Sequence, residues 1–260
     1  MAIQNNSVKR AFQILETFTV DSPLQGVTEI SRKTGLNKAT VFRFLKSLED
    51  VGIICRDEKT GFYKLGLRLF ELGYRVPIRD NVIQQMHPIL EELVEKIKMT
   101  VHLATLREDE VLYVDKIRCR KSLQINTHIG ARYPAYCTAL GKSMLAHLPD
   151  DELNALLNRQ KLYALTKNSI TDPELLKEDL RLTRQRGYAL DDEEFEEGLR
   201  CVAVPILGYD GKPIVAISVS GALSQVSEET IPRQVELLKE AANRIQKQIH
   251  ANKMTLRDFL

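Results

Sequence analysis

The sequence predicts an α+β protein in two parts, a small helical part that ends in a hairpin and a larger part in which helices pack against an antiparallel sheet. Helical spacing of apolar residues continues to about residue 50 and then changes to a strand pattern over 53–65. Two long apolar strands, 199–206 and 213–220, follow a series of helical segments. A chain of 260 residues is long enough for two such domains.

Charge and composition limit the function classes. The formal net charge is +2, but residues 1–75 hold 12 Lys/Arg against 8 Asp/Glu, so the first part is basic and the remainder slightly acidic. A basic front end favours contact with nucleic acid, because neutralised phosphates release counterions. The sequence has neither a signal-peptide pattern nor an apolar run of membrane-spanning length, which predicts a cytoplasmic protein with no membrane partner. The four cysteines form no C-x-x-C pair, so no zinc site, disulfide framework or cofactor is predicted.

Two helices are predicted before residue 35. Ser7 is a candidate N-cap of the first, whose apolar residues recur at helical spacing. They are Val8, Ala11, Phe12, Leu15 and Phe18. Thr28 is a candidate cap of a short second helix, and Gly35 can close that helix in the left-handed conformation.

The third helix is the predicted DNA-reading element. Asn37 is a good N-cap, since its side-chain oxygen can accept a hydrogen bond from the first turn. Val41, Leu45 and Leu48 form one apolar stripe, while the opposite face is basic and carries one aromatic and one small residue. Arg and Lys can bind phosphate or guanine, and Phe or Ala can lie against a thymine methyl group. Taken alone, this helix is equally compatible with an ordinary solvated basic face.

A hairpin is predicted directly after this helix, with strands 53–56 and 62–65 around a turn at 57–61. Three helices followed by such a wing form a winged helix-turn-helix, whose partner is double-stranded operator DNA. A winged-helix module for protein interaction is the alternative. The predicted DNA-contacting residues are Asn37, Lys38, Ala39, Thr40, Phe42, Arg43, Lys46, Arg56, Lys59 and Lys64.

The second part begins after a connecting helix. Residues 67–74 are apolar on most sides and precede Pro77, which predicts a buried linker or dimer helix. Asp80 is a candidate cap for a helix that continues to residue 98, on which His87 is expected to be partly buried with a polar partner. The predicted domains are therefore 1–66 for DNA binding, 67–79 for the linker helix and 80–260 for ligand binding.

The larger domain is predicted to contain a sheet with helices inserted in it. Strands are expected at 101–106, 111–117 and 122–126, and at 199–206 and 213–220 around the turn 209–212. Helical spacing marks 140–148, 151–157, 173–186 and about 227–251.

Three separated segments of this domain combine polar residues with turns. Residues 136–141 enter a helix, whose amide hydrogens favour an anion. Asp191 begins an acidic run that leads to Cys201, and Ser218 and Ser220 share one strand face. A small carboxylate or hydroxylated acid would fit, its charge held by the helix amides and its hydroxyls by Asp191 and the serines. Singly, each feature has an ordinary structural explanation.

Two other function classes are compatible with these residues. The first is an enzyme with Cys201 or Cys137 as nucleophile and His102 or His128 as base, but no catalytic motif surrounds either cysteine. The second is a metal-responsive sensor that uses His102, His128 and Cys137, whose spacing is not diagnostic. A helix-turn-helix would be unexplained in the enzyme.

Several motifs together resemble one family. They are residues 7–15 (SVKRAFQIL), the third helix, 138–142 (TALGK), 186–188 (RGY) and 197–205 (EGLRCVAVP). From residue 7 to residue 250 the chain resembles the IclR family of bacterial transcription factors. The resemblance implies a winged helix-turn-helix, a linker helix and a GAF-like effector domain, assembled as a homodimer or a dimer of dimers on palindromic operators.

The resemblance also implies an effector pocket. Its positions are Thr138, Ala139, Asp191, Leu199, Cys201, Ser218 and Ser220. Residues 193–201 look especially similar to the ketodeoxygluconate repressors, a branch that represses sugar-acid catabolism. The chain is therefore expected to be a ligand-responsive repressor of a catabolic operon and not an enzyme, with a sugar or keto acid as its effector.

The recognition helix departs from the family pattern at two positions. Ala39 stands where many members have a serine, and Phe42 where tyrosine or histidine is frequent. The sequence preference for DNA is expected to differ from that of relatives at these two points.

Overall fold

The computed structural model describes residues 6–76, 83–119 and 127–256. The chain divides into two compact units, Met1–Arg79 and Asp80–Leu260. Across the described ranges, no helix has both the length and the apolar character needed to cross a membrane.

The first unit contains three helices and a hairpin around one small core. The helices are α1 (Asn6–Leu15), α2 (Val27–Thr34) and α3 (Lys38–Asp50), and the antiparallel strands are β1 (Ile54–Arg56) and β2 (Tyr63–Leu65). The buried core consists of Ile14, Phe18, Ile30, Val41, Leu45, Ile54 and Tyr63. This arrangement is the predicted winged helix-turn-helix.

The cap of α3 and the turn before it are confirmed. The Thr40 amide donates to Asn37 Oδ1 at 2.8 Å, which satisfies one of the unpaired amides of the first turn. Gly35 has a φ of 71° and its amide donates to Ser31 O, so the chain turns in a conformation that favours glycine.

The predicted caps of the first two helices are wrong, and the predicted face of α1 is confirmed only in part, since Leu15 and Phe18 pack in the core whereas Val8 is exposed. Helix α1 begins at Asn6, so Ser7 lies inside it, and residues 6–10 are all exposed. Phe12 is 59% exposed, because the side of α1 that meets the core is centred on Ile14. Helix α2 begins after Gly26 and has no side-chain cap, since the extended backbone at Gly26 starts the helix one residue before Thr28.

A fourth helix, α4 (Leu67–Tyr74), follows the hairpin at the predicted place. The first alternative, a buried linker helix, is wrong for the single chain, and the second, a dimer helix, stays a prediction. Leu67 is 79% exposed and Phe70 is 65% exposed, because the core of the first unit is complete without α4.

The second unit is organised on an antiparallel sheet, which in the described part of the chain has six strands in the order β5-β4-β3-β8-β7-β6. The strands are β3 (Val101–Arg107), β4 (Glu110–Ile117), β5 (Arg132–Pro134), β6 (Ala189–Asp192), β7 (Leu199–Leu207) and β8 (Pro213–Ala222). The two edge strands β5 and β6 were not predicted, because they are short and β6 ends in acidic residues that resemble a loop. The predicted strand at 122–126 and the predicted cap Asp80 lie outside the described residues.

Five helices of the second unit are described. They are α5 (Gln84–Ile97), α6 (Ala139–Leu145), α7 (Asp150–Arg159), α8 (Pro173–Arg186) and α9 (Ile231–Ala251). Helix α9 packs on β7 and β8 and contacts α5. It begins four residues later than predicted, because Ser227 belongs to a turn in which its carbonyl accepts from the Ile231 amide at 2.9 Å. His87 Nδ1 lies 2.8 Å from Asp115 Oδ2, which gives this histidine the expected partner.

Helix α6 lies close to the sheet because small residues line the contact. One buried cluster joins Ala104, Ala203 and Ala216 of the strands to Leu140 and Met144 of α6. A Cβ atom at Gly141 would lie 2.1 Å from the Ala135 carbonyl oxygen, so only glycine permits this approach. The start of α6 is therefore fixed beside the polar residues of β6, β7 and β8.

Candidate functional sites

A cavity in the second unit brings the predicted effector residues together. It has a volume of about 360 Å³, including its open mouth. All seven predicted positions line it, although they come from three separate segments of the chain. Its wall consists of Tyr113, Thr127, Thr138, Ala139, Leu140, Asp191, Phe195, Leu199, Cys201, Ser218 and Ser220. We call this space the effector cavity.

Strand register explains the meeting of four of these residues. Asp191 of β6 is opposite Cys201 of β7, and Cys201 is opposite Ser220 of β8. Ser218 lies on the same face as Ser220, since alternate residues of a strand point to the same side. The register thus produces a polar row across three strands.

Asp191 is the buried acid of the cavity. Its Oδ1 accepts hydrogen bonds from the amides of Glu194 at 2.9 Å and Phe195 at 3.3 Å. Burial raises its pKa to about 6, although these amides and the charge of Lys142 act in the opposite direction. Burial also raises the pKa of the neighbouring Cys201 thiol, and the Asp191 charge adds to that effect. Cys201 is therefore a neutral hydrogen-bonding group in this site.

Thr138 has a structural task at the entry to α6. Its Oγ1 accepts from the Gly141 amide at 3.2 Å and donates to the Pro134 carbonyl at 3.1 Å. Because the hydroxyl is already engaged, a ligand contact from this segment would come from the backbone.

Lys142 is an important residue to which the sequence reasoning gave no role. It is 1% exposed, lies 2.9 Å from Asp179 Oδ2 of α8, and also forms an ion pair with Glu194. Burial lowers its pKa, but the two carboxylates outweigh burial and hold the pKa above its usual value. Lys142 therefore joins α6, α8 and the segment whose amides bind Asp191. In the sequence, the only sign that Lys142 is buried is its position among the apolar residues of α6.

The aromatic and hydroxyl residues on the remaining wall were also not predicted. Tyr113 and Phe195 line the cavity, and both make edge contacts with the ring of Tyr133, at ring-centroid distances of 5.4 and 4.9 Å. Burial raises the pKa of Tyr113 well above its ordinary value, so its hydroxyl is neutral. No local motif marks these residues, because their proximity depends on strand pairing.

The predicted DNA-contacting residues of α3 form an exposed face of the first unit. Asn37, Lys38, Ala39, Phe42 and Arg43 are exposed and Thr40 is half-buried. Lys46 forms an ion pair with Glu49 at 2.7 Å. A phosphate contact by Lys46 would thus compete with an existing partner.

The three wing residues differ in their roles. Arg56 Nε donates to the Gly61 carbonyl at 3.2 Å, and its guanidinium carbon lies 5.8 Å from the centroid of the Tyr63 ring. Arg56 therefore stabilises the hairpin itself. Lys59 and Lys64 are exposed on the same wing.

The geometry gives little support to the enzyme and metal alternatives. Burial raises the pKa of Cys137 to about 12, so its thiol is not a ready nucleophile. His102 Nε2 contacts Thr127 Oγ1 at 2.9 Å. In the ranges that the structure covers, no group of three or more His, Cys, Asp or Glu side chains could hold a metal ion.

Comparison with known proteins gives consistent matches over both units. Residues 7–58 match the family model of the IclR helix-turn-helix domain, and residues 76–247 match that of the bacterial transcriptional regulator IclR C-terminal domain. The chain is 36% identical over 244 residues to the HTH-type transcriptional regulator KdgR of Escherichia coli K12, covering 94% of this chain and 92% of that protein. It is 37% identical over 235 residues to XynR of the same organism, covering 90% and 93%.

Solved structures give the same result. The Thermotoga maritima IclR structure has a TM-score of 0.74 and 34% identity, covering 95% of this chain and 100% of that one. An IclR homolog from Microbacterium hydrocarbonoxydans, complexed with 4-hydroxybenzoate, has a TM-score of 0.81 and 28% identity, covering 94% and 99%.

Proposed function

The chain belongs to the IclR family of bacterial transcriptional regulators, and from that premise we propose that it is a cytoplasmic repressor of a catabolic operon. It binds a palindromic operator in double-stranded DNA as a homodimer or a dimer of dimers. A small hydroxylated carboxylate, such as a sugar or keto acid, binds in the effector cavity and releases the protein from the DNA.

The observation that carries the proposal is the convergence of seven predicted residues on one cavity. They come from the entry to α6, from β6 and β7, and from β8, and they line a space of about 360 Å³. Ligand sites combine apolar walls with a few polar groups that orient the ligand.

The polar groups suit an acid that also carries hydroxyls. The Asp191 carboxylate can accept hydrogen bonds from ligand hydroxyls, and the hydroxyls of Ser218 and Ser220 can accept or donate them. The backbone at the start of α6 binds the ligand carboxylate.

The exposed face of α3 supports the DNA-binding part of the proposal. Lys38 and Arg43 bind phosphate or base edges, and Ala39 and Phe42 make apolar contacts with bases. Lys59 and Lys64 of the wing contact the phosphate backbone of the DNA. The exposed apolar residues of α4, such as Leu67 and Phe70, support its use as a contact between copies of the chain.

The ligand can regulate only through unequal affinity for two arrangements of the protein. An effector that binds better to the arrangement unable to span both operator half-sites weakens DNA binding. The factor by which it lowers DNA affinity equals the factor by which bound DNA lowers the affinity for the effector.

A thermal-shift experiment on the full chain tests this proposal. Gluconate, galacturonate, pyruvate and 4-hydroxybenzoate are added separately, since a ligand that binds only the native state raises Tm. An acid that raises Tm is then added to a complex of the protein with operator DNA selected from a random-sequence pool. The proposal requires that this acid lowers DNA affinity. It is overturned if none of the acids raises Tm, or if the binding acid leaves DNA affinity unchanged.

A further inference from the structure

One wall of the effector cavity contains a partly buried polar cluster that the proposed function does not use. Thr127 lines the cavity, and its Oγ1 lies 2.8 Å from Lys116 Nζ and 2.9 Å from His102 Nε2. Lys116 Nζ also donates to the Thr127 carbonyl oxygen at 2.7 Å. We call Thr127, Lys116 and His102 the Thr127 cluster.

Strand register connects this cluster to the rest of the cavity. Lys116 of β4 is opposite His102 of β3, and His102 is opposite Ser218 of β8. Ser218 lines the cavity, as does Tyr113, whose ring makes an edge contact with the His102 ring at 5.4 Å. His102 is thus next to three cavity-lining residues, Thr127, Ser218 and Tyr113.

The cavity consequently has two polar ends on one face of the sheet. On one side of β8, Ser220 is paired with Cys201 of β7, which is paired with the acidic residue Asp191 of β6. On the other side, Ser218 is paired with His102 of β3, which is paired with the basic residue Lys116 of β4. A ligand that spans this face meets a carboxylate at one end and hydrogen-bond donors at the other.

The hydrogen bonds of the cluster determine what Thr127 can offer a ligand. The Lys116 ammonium has only hydrogens to donate, so Thr127 Oγ1 accepts from it. Burial lowers the pKa of His102 to about 3, and therefore its ring is neutral and has one N–H. If His102 Nε2 donates to Thr127, the Thr127 hydroxyl hydrogen can turn to the cavity. Lys116 then makes that hydroxyl a stronger donor.

An unpartnered atom marks the cluster as incomplete. His102 is 1% exposed, and its Nδ1 is a buried atom without a hydrogen-bond partner among the described residues. Buried polar atoms are nearly always satisfied, and the exceptions require an explanation such as a bound group. With the ring proton on Nε2, Nδ1 is an acceptor, so a ligand hydroxyl beside Thr127, His102 and Ser218 would provide one: its oxygen accepts from Thr127 and its hydrogen is donated to Nδ1.

We propose that the Thr127 cluster binds an acceptor oxygen at the end of the effector remote from Asp191. The effector is then an extended acid with oxygens at both ends, in the class of sugar acids, and not a short acid such as pyruvate. Thr127 is the specificity-determining contact, and Lys116 and His102 are positioning residues that act through it. This inference rests on the proposed function.

Calorimetric titration of the full-length protein with matched acids tests the inference. The probes are gluconate, galacturonate, galactarate and pyruvate, and the first three share a six-carbon chain but differ in the terminal group remote from the first carboxylate. We expect at least one six-carbon acid to bind more tightly than pyruvate. If only galactarate binds, the ligand group at the Thr127 cluster is a second carboxylate. If gluconate or galacturonate binds, that group is a neutral oxygen.

Variants separate a ligand contact from a structural effect. Thr127→Val and Lys116→Met are each expected to weaken binding of the six-carbon acid by about tenfold or more, because a charge-assisted hydrogen bond is lost. The affinity for pyruvate should change little. Thr127→Ser retains the hydroxyl and should restore binding, and Lys177→Met, which removes an exposed lysine of α8, is the matched control. DNA affinity without ligand checks that each variant is folded.

Four outcomes would overturn the inference. If Thr127→Val weakens the binding of pyruvate and of the six-carbon acid equally, Thr127 is only structural. Unchanged affinity in Thr127→Val and Lys116→Met means that the cluster does not touch the ligand. Tighter binding of pyruvate to the wild type contradicts the ligand class but leaves the proposed function intact, whereas absence of binding by every acid contradicts both.

Discussion

Lys142 Nζ lies 2.9 Å from Asp179 Oδ2, at a position where Lys142 is almost completely inaccessible to solvent. The same ammonium is paired with Glu194, and the Glu194 amide donates to Asp191 of the effector cavity at 2.9 Å. A buried charge in the core of the second unit therefore fixes the segment that holds the acid of the cavity.

Lys142→Met is expected to destabilise the second unit by about 3–5 kcal/mol, because it leaves the buried Glu194 carboxylate and the partly buried Asp179 carboxylate without their cation. Urea unfolding followed by circular dichroism measures this change. Lys177→Met removes an exposed ion pair with Glu174 and should cost only about 0–1 kcal/mol. Similar small losses in both variants would contradict the assigned role of Lys142.

Asp191→Asn is expected to stabilise the unliganded protein at neutral pH. The folded-state pKa of Asp191 is raised to about 6, so its favourable contribution is complete below the unfolded pKa and is lost as pH rises through about 6. Removing the charge should therefore add about 1–3 kcal/mol of stability near pH 7.5, and the gain should disappear towards pH 4. Chemical unfolding at several pH values measures this. A variant less stable than wild type across the whole range would contradict the pKa assignment.

Asn37→Ala is expected to destabilise the first unit by about 1 kcal/mol, because the Thr40 amide loses its acceptor. Asn37→Ser keeps a side-chain oxygen at the cap and should retain most of the stability. Unfolding of the two variants, monitored by circular dichroism, gives the comparison. Equal stability of Asn37→Ala and wild type would show that the cap is dispensable.

Arg43→Ala is expected to weaken operator binding by about 1–3 kcal/mol, or to lower the salt dependence of binding by one phosphate contact. Lys46→Ala should have a smaller effect, since Lys46 already pairs with Glu49. Gel shifts at matched salt concentrations measure both. Arg181→Ala, which changes an exposed ion pair of α8, is the control. An Arg43→Ala protein that binds operator with unchanged affinity at every salt concentration would contradict the assignment of α3.

The features that sequence could predict are those that depend on neighbouring residues. The Asn37 cap, the Gly35 turn and the hairpin that follows α3 each have a local cause, so their predictions are confirmed. The face of α1 could not be predicted, because its partner is a core assembled from distant segments. Helix spacing selected Leu15 but left out Ile14, the residue of α1 that is fully buried in the core with Ile30 and Leu45.

In the effector cavity, too, some residues could be predicted from the sequence and others could not. Family resemblance supplied its seven candidate positions, and strand register accounts for the proximity of Asp191, Cys201 and Ser220. Lys142 and the Thr127 cluster were missed because their partners are far away in sequence. Glu194 lies 52 residues from Lys142, and Thr127 lies 25 residues from His102.

Release of operator DNA by the acid that raises Tm tests the central claim most directly. Fluorescence anisotropy of labelled operator is recorded as the acid is added to wild type, Ser220→Ala, Asp191→Asn and Ser224→Ala, an exposed serine that serves as control. We predict that all four proteins bind DNA equally without acid, and that wild type and Ser224→Ala are released at the same acid concentration. Ser220→Ala and Asp191→Asn should need about tenfold more acid, or remain bound. Release of all four proteins at the same acid concentration would contradict the assignment of the effector cavity.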